Sequence, residues 1–115
     1  MKKLLSTTLL LLVFSHVQAQ KEKPIQTVLV KTSINCDHCK QCATCAERLE
    51  KAVYEVKGVK RVDIDEKENT LKIVFNNQKT NLDAIRTAIN KAGYDADDAK
   101  ADVEAYTSLD DCCKK

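Results

Sequence analysis

The chain has 115 residues, with 19 Lys and Arg against 17 Asp and Glu and a formal net charge of +2. This length allows one small domain and leaves little room for an enzyme with two lobes and a deep cleft. Trp is absent, and the near-neutral charge and few aromatic residues argue against nucleic-acid binding. The unusual feature is cysteine, with six residues arranged in two tight groups.

Residues 1–19 have the layout of a secretory signal peptide. Two lysines precede an apolar stretch over Leu4–Phe14, and Val17-Gln18-Ala19 supplies small residues for cleavage. The apolar stretch is shorter than the roughly 20 residues of a membrane span, and cleavage would remove it, so we expect no stable membrane insertion of the mature protein. The alternative is that this segment is retained as an N-terminal anchor helix. The segment predicts an exported protein, periplasmic or, in a single-membrane host, secreted. Thiols tend to oxidise in such compartments.

After a polar lead-in at 20–26, the predicted elements follow the order β-α-β-β-α. Alternating apolar residues indicate strands, and apolar residues three or four apart indicate helices. We predict a strand over Thr27–Ser33, a loop over 35–41, a helix from about Cys45 ended by Gly58, strands over Val59–Glu66 and Thr70–Asn76, and a helix capped by Thr80 and ended by Gly93.

The end of the chain is less regular. Tyr94 to Ala96 could begin a fourth strand, and Asp102 is expected to cap a short helix that continues through Leu109. Each main helix must bury one apolar stripe, and one sheet face can cover both, which predicts a two-layer α+β sandwich. We expect residues 27–98 to form the domain and residues 99–115 a tail containing Cys112 and Cys113.

Four thiols at intervals of three residues stand between the first strand and the first helix: Cys36, Cys39, Cys42 and Cys45. The positive end of a helix dipole favours thiolates, the form of cysteine that binds soft metals. Cu(I), Zn(II), Cd(II) and Hg(II) all accept two converging sulfurs. The alternatives from spacing alone are plain disulfides or a [4Fe–4S] cluster, although the last interval is one residue short for the latter.

Cys42-Ala43-Thr44-Cys45, followed by Leu49, Val53 and Gly58-Val59, resembles the heavy-metal-associated domain family. This family includes copper chaperones, modules of copper ATPases and periplasmic mercuric-ion-binding proteins. The resemblance extends over about Thr27 to Ala96. It implies a ferredoxin-like βαββαβ fold that holds one soft ion between two cysteines and transfers it by ligand exchange, without catalysis. Implied partners are a metal-transporting ATPase, another cysteine-containing carrier, or a second copy in a metal-bridged dimer.

The resemblance implies that Cys42 and Cys45 are the primary ligands, because Leu49 and Gly58 follow Cys45 by the family's intervals. The resemblance favours Cu(I), and Zn(II), Cd(II) and Hg(II) stay open because the family's usual Met before the first cysteine is missing here. The other candidates are Cys36 and Cys39 as further ligands or a disulfide, His38 as a nitrogen ligand, Lys40 as a neutralising charge, and Tyr94 beside the metal loop.

Cys112 and Cys113 lie beyond the usual end of such a domain. The tail is long enough for them to return as further ligands or to pair with the loop cysteines. The alternative is a mobile tail with an incidental or intermolecular disulfide. Two other functions stay open for the whole chain: a thiol–disulfide oxidoreductase that uses the C-x-x-C pairs, and an exported module stapled by three disulfides.

Overall fold

The computed structural model describes residues 23–34 and 43–114, with side chains from Cys45 onward in the second range. Three strands, three helices and one 3₁₀ turn make up this part of the chain. They are β1 (Ile25–Lys31), α1 (Ala43–Tyr54), β2 (Val59–Asp65), β3 (Thr70–Asn76), α2 (Leu82–Lys91), α3 (Val103–Thr107) and the 3₁₀ turn Asp111–Cys113. The predicted order β-α-β-β-α is confirmed.

The strands form one antiparallel sheet in the order β1-β3-β2. Ile73 in the central strand lies opposite Val28 on one side and Val62 on the other. Strand alternation turns one set of β3 side chains inward, and the helices contribute their apolar stripes to the same core. The buried residues of these elements are Val30, Cys45, Leu49, Val53, Val62, Leu71, Ile73, Phe75, Ile85 and Ile89. The two-layer α+β sandwich is therefore confirmed.

Several element boundaries differ from the predictions. Strand β1 begins two residues earlier than expected, because it pairs with the whole of β3, from Ile25 opposite Asn76 to Lys31 opposite Thr70. Thr80 as the cap of α2 is wrong, since the side chain of Asn81 accepts the hydrogen bond from the Ala84 amide at 2.8 Å. Asn81 has extended backbone angles, which suit a cap.

Helix α1 ends at Tyr54, before the predicted glycine stop. Gly58 instead has φ +105° in the connection that leads into β2, where a side chain would be strained. Asp102 does cap α3, with its carboxylate accepting from the Ala105 amide at 2.9 Å. That helix ends at Thr107 rather than Leu109. The predicted short helical tail is thus present.

The expected fourth strand is reduced to an isolated bridge between Ala96 and Ala99. Asp97 has φ +52°, which breaks the extended path that a strand requires. Its amide donates to the Lys31 carbonyl at 2.8 Å, and its carboxylate accepts from the Lys31 amide at 2.9 Å. Asp97 therefore pairs with the edge of β1 where a longer strand was expected.

The carboxylate of Asp97 also binds a residue of α2. Arg86 Nη2 lies 2.9 Å from Asp97 Oδ2, and the hydrogen bond to this carboxylate raises the pKa of the Arg86 guanidinium. One side chain thus joins the edge of the sheet to the second helix. Among the helices of residues 23–34 and 43–114, we find none with the length and apolar character needed to cross a bilayer.

Candidate metal centre

Cys45 lies in the first turn of α1 and faces the core. It shares one side of the helix with Leu49 and Val53, because residues four apart are neighbours on a helix surface. Only 2% of Cys45 is exposed. The hydroxyl of Tyr94, itself buried, donates to the backbone carbonyl of Cys45 at 3.2 Å. The start of α1 is therefore attached to the segment that follows α2.

The C-terminal cysteines lie at this same point. Cys113 forms a disulfide with Cys45 across 68 positions of sequence, with the two Cα atoms 6.2 Å apart. Cys112 is exposed and lies outside the disulfide, with its Sγ 4.0 Å from the Sγ of Cys113. The sulfurs of Cys45, Cys112 and Cys113 all lie within 4.8 Å of one another. We call these three residues the sulfur cluster.

The oxidation state decides what the sulfur cluster can bind. Metal ions bind thiolates, and a disulfide sulfur offers none, so Cys45 and Cys113 cannot act as thiolate ligands while they are joined. After reduction the same positions would bring three thiols together. Two thiolates on one ion, at about 2.3 Å each, lie at most about 4.6 Å apart and about 4.0 Å apart in a planar three-coordinate site. The 4.0 Å between the sulfurs of Cys112 and Cys113 matches the second value, whereas the bonded sulfurs of Cys45 and Cys113 would have to separate after reduction to reach it.

Five predicted site residues lie outside the described residues: Cys36, His38, Cys39, Lys40 and Cys42. Their participation in metal binding stays a prediction, as does the extended cysteine-rich loop that would carry them. Cys45 has the predicted place at the start of the helix, and the disulfide describes its oxidised form. Tyr94 contacts the backbone of Cys45 through its hydroxyl, and a further influence on a bound metal likewise stays a prediction.

The choice of Cys113 as the partner of Cys45 could not be read from cysteine spacing. The sequence left open whether the tail returned to the domain or stayed apart from it. A usable signal was nevertheless present in Leu109, an apolar residue that follows a capped helical turn and is 4% exposed in the structure. A buried leucine so near the chain end indicates that the tail packs on the domain.

The structure is a small α+β domain that brings three cysteine sulfurs together beside its first helix. Residues 40–95 match the heavy-metal-associated domain family. Residues 40–95 of this chain are therefore a heavy-metal-associated domain, and the predicted family resemblance is confirmed. A comparison with curated proteins gave no match.

Solved structures share the ferredoxin-like fold. A CopZ metallochaperone is 19% identical, with 62% of this chain and 98% of that one covered at a TM-score of 0.53. Oxidised MerP from Ralstonia metallidurans CH34 is 26% identical, with 63% and 93% covered at a TM-score of 0.53. A copper-binding domain from HMA7, a P-type ATPase, is 24% identical, with 62% and 89% covered at a TM-score of 0.54. These similarities confirm the predicted fold class.

Proposed function

We propose that this protein binds a soft metal ion outside the cytoplasm and passes it to another thiol-bearing carrier by thiolate exchange. The observation that carries the proposal is Cys45 in the first turn of α1, within a heavy-metal-associated domain. With Cys42, it completes the C-x-x-C pair of the family. Cu(I) is the favoured ion, and Zn(II), Cd(II) and Hg(II) are the alternatives, because all accept thiolate ligands.

Ligand exchange explains why the ion would be held by few thiolates. Each step replaces one thiolate of this protein with one from the partner, so the ion is never released into water. A metal-transporting ATPase or another cysteine-containing carrier is the proposed recipient. Support comes from the matched copper-binding domain of a P-type ATPase, which shares this fold. A second copy of this chain, bridged by the metal, is the further candidate.

The metal-binding proposal is tested by anaerobic titration of the reduced protein, read by native mass spectrometry. We expect tight binding of Cu(I) by the wild type and its loss in Cys42→Ser/Cys45→Ser. Cys36→Ser/Cys39→Ser, which removes the same number of thiols, reports whether the outer pair contributes to the stoichiometry. The proposal fails if the reduced wild type binds none of the four ions, or if the Cys42/Cys45 double variant binds them unchanged.

Export is a separate part of the proposal, based on residues 1–19. Expression of the full chain followed by cell fractionation and N-terminal sequencing tests it. We expect the extracytoplasmic protein to begin at Gln20. Recovery in the cytoplasm with residues 1–19 retained would contradict export and would leave metal binding unaffected.

The second candidate is a thiol–disulfide redox protein, favoured by the buried disulfide with an exposed cysteine beside it. Such a protein would exchange its disulfide with substrate thiols through a mixed disulfide. An insulin or glutathione reduction assay separates the two functions. Fast turnover would favour the redox protein, whereas slow turnover together with tight metal binding would favour the carrier.

A further inference from the structure

The tail reaches the domain through contacts that do not involve sulfur. The Asp102 amide donates to the Asn90 carbonyl at 3.0 Å, and the Asn90 side chain donates to the Ala99 carbonyl at 3.1 Å. The carboxylate of Asp95 accepts from the Ala101 amide at 2.8 Å. These bonds hold the beginning of the tail against the end of α2, and none of them involves a cysteine.

Close packing continues this attachment toward the chain end. A Cβ atom on Gly93 would lie 3.0 Å from both the Ala105 carbonyl oxygen and the Leu109 side chain. The tail therefore lies so close to the Gly93 backbone that even a methyl group at this position would crowd it. Leu109 is 4% exposed, and the 3₁₀ turn that follows places Cys113 at 3% exposed.

The result is a set of three sulfurs assembled from two distant parts of the sequence. Cys45 comes from the first turn of α1, and Cys112 and Cys113 come from the docked tail. Cys112 and Cys113 are adjacent, so their separation of 4.0 Å is set within one turn, and a ring joining them directly would be strained. Both tail sulfurs can therefore face a common third sulfur on the helix.

We propose that, once reduced, the sulfur cluster forms a three-thiolate site for a thiophilic ion such as Cu(I), Cd(II) or Hg(II). The proposal rests on the proposed metal-binding function and deepens it, because the tail becomes a ligand arm outside the family's cysteine pair. A tail already docked on the domain presents its thiolates at high effective concentration. The ion would be retained by the tail until a partner's thiolates replace those of Cys112 and Cys113.

The disulfide is the oxidised, closed form of this site. Two thiols of an external reductant, either a dithiol or two monothiols, supply two electrons and two protons. The Cys45–Cys113 bond breaks to give two thiols, and the reductant leaves as its own disulfide. The entering ion then displaces the thiol protons. Because both bonded sulfurs are buried, the external thiol must wait for the tail to open.

The test is a Cd(II) titration of the reduced full chain, followed by the ultraviolet charge-transfer absorption of Cd–S bonds. We expect Cys112→Ser/Cys113→Ser to lose the absorption of two Cd–S bonds and to bind Cd(II) about 10²-fold more weakly. Cys112→Ser alone, at an exposed position, should lose the absorption of one bond without affecting folding. Val103→Ala, at a position 80% exposed on the same tail, is the matched control and should titrate like the wild type.

The outcomes separate this inference from the proposed function. Both tail variants titrating like the wild type, while Cys42→Ser/Cys45→Ser no longer binds Cd(II), would overturn the three-thiolate site and leave the carrier function in place. No Cd(II) binding by the reduced wild type would overturn the three-thiolate site, and the carrier function would fall with it only if Cu(I), Zn(II) and Hg(II) were not bound either. Circular dichroism and thermal unfolding of every variant show whether a loss of binding reflects unfolding.

Discussion

Replacing Leu109 with Ala tests whether packing, rather than the disulfide, holds the tail. Leu109 is 4% exposed and packs on Gly93. Truncation of a buried leucine costs about 2–5 kcal/mol, with the smaller losses at sites that can relax. The tail lies at the edge of the core, so we expect about 2 kcal/mol. That loss shifts the equilibrium between docked and undocked tail by about thirtyfold.

Alkylation of the reduced protein measures this shift. Cys113 is 3% exposed and reacts with iodoacetamide only when the tail opens, whereas exposed Cys112 serves as an internal reference. With fragment mass spectrometry to distinguish the two sites, we expect Cys113 to react about thirtyfold faster in Leu109→Ala. Val103→Ala lies on the same tail and should leave both rates unchanged.

Two results would refute the reasoning. If Cys113 in the reduced wild type already reacts as fast as Cys112, the disulfide alone holds the tail in place. If Leu109→Ala leaves a slow Cys113 rate unchanged, contacts other than this side chain dock the tail. The first result would also remove the preorganisation on which the three-thiolate site depends, whereas the second would leave the tail docked by its other contacts.

Three further predictions concern stability, each measured by urea unfolding. The Cys45–Cys113 disulfide closes a sequence separation of 68, and the chain entropy it removes from the unfolded state should add about 4 kcal/mol to the free energy of unfolding. Equal stabilities of the oxidised wild type and Cys113→Ser would contradict this. Asp97→Ala should lose about 2 kcal/mol, because it removes the bond from the Lys31 amide and places alanine at φ +52°. Asp97→Asn should lose less, since asparagine tolerates that conformation, and equal losses would refute the backbone argument. Tyr94→Phe removes the bond to the Cys45 carbonyl and should lose about 1 kcal/mol, so an unchanged stability would mean that this bond contributes nothing.

Local sequence patterns determined most of the layered fold. The alternation in Thr70–Asn76 predicted a strand with Leu71, Ile73 and Phe75 on one face, and the structure buries all three. The helical stripe from Cys45 through Leu49 and Val53 predicted the buried face of α1. These features depend on the side-chain periods of strand and helix, which can be recognised within a short stretch of sequence.

Element ends were less predictable, because a neighbouring element sets them. Strand β1 is limited by its pairing with β3, and the fourth strand is cut short where Asp97 leaves the extended conformation. No local sequence pattern predicted that Asp97 would pair with Lys31. The bond depends on how the end of the domain returns to the edge of β1.

The sequence by itself determined that the chain carries a cysteine pair at the start of a helix in a small α+β domain. Only the tertiary structure decided that Cys113 joins Cys45 and that Cys112 lies beside them. A disulfide requires a short separation of two Cα atoms, here 6.2 Å, between residues that are 68 positions apart. That separation results from the packing of Leu109 against Gly93 and the anchoring of the tail on α2, and no spacing of cysteines along the chain encodes it.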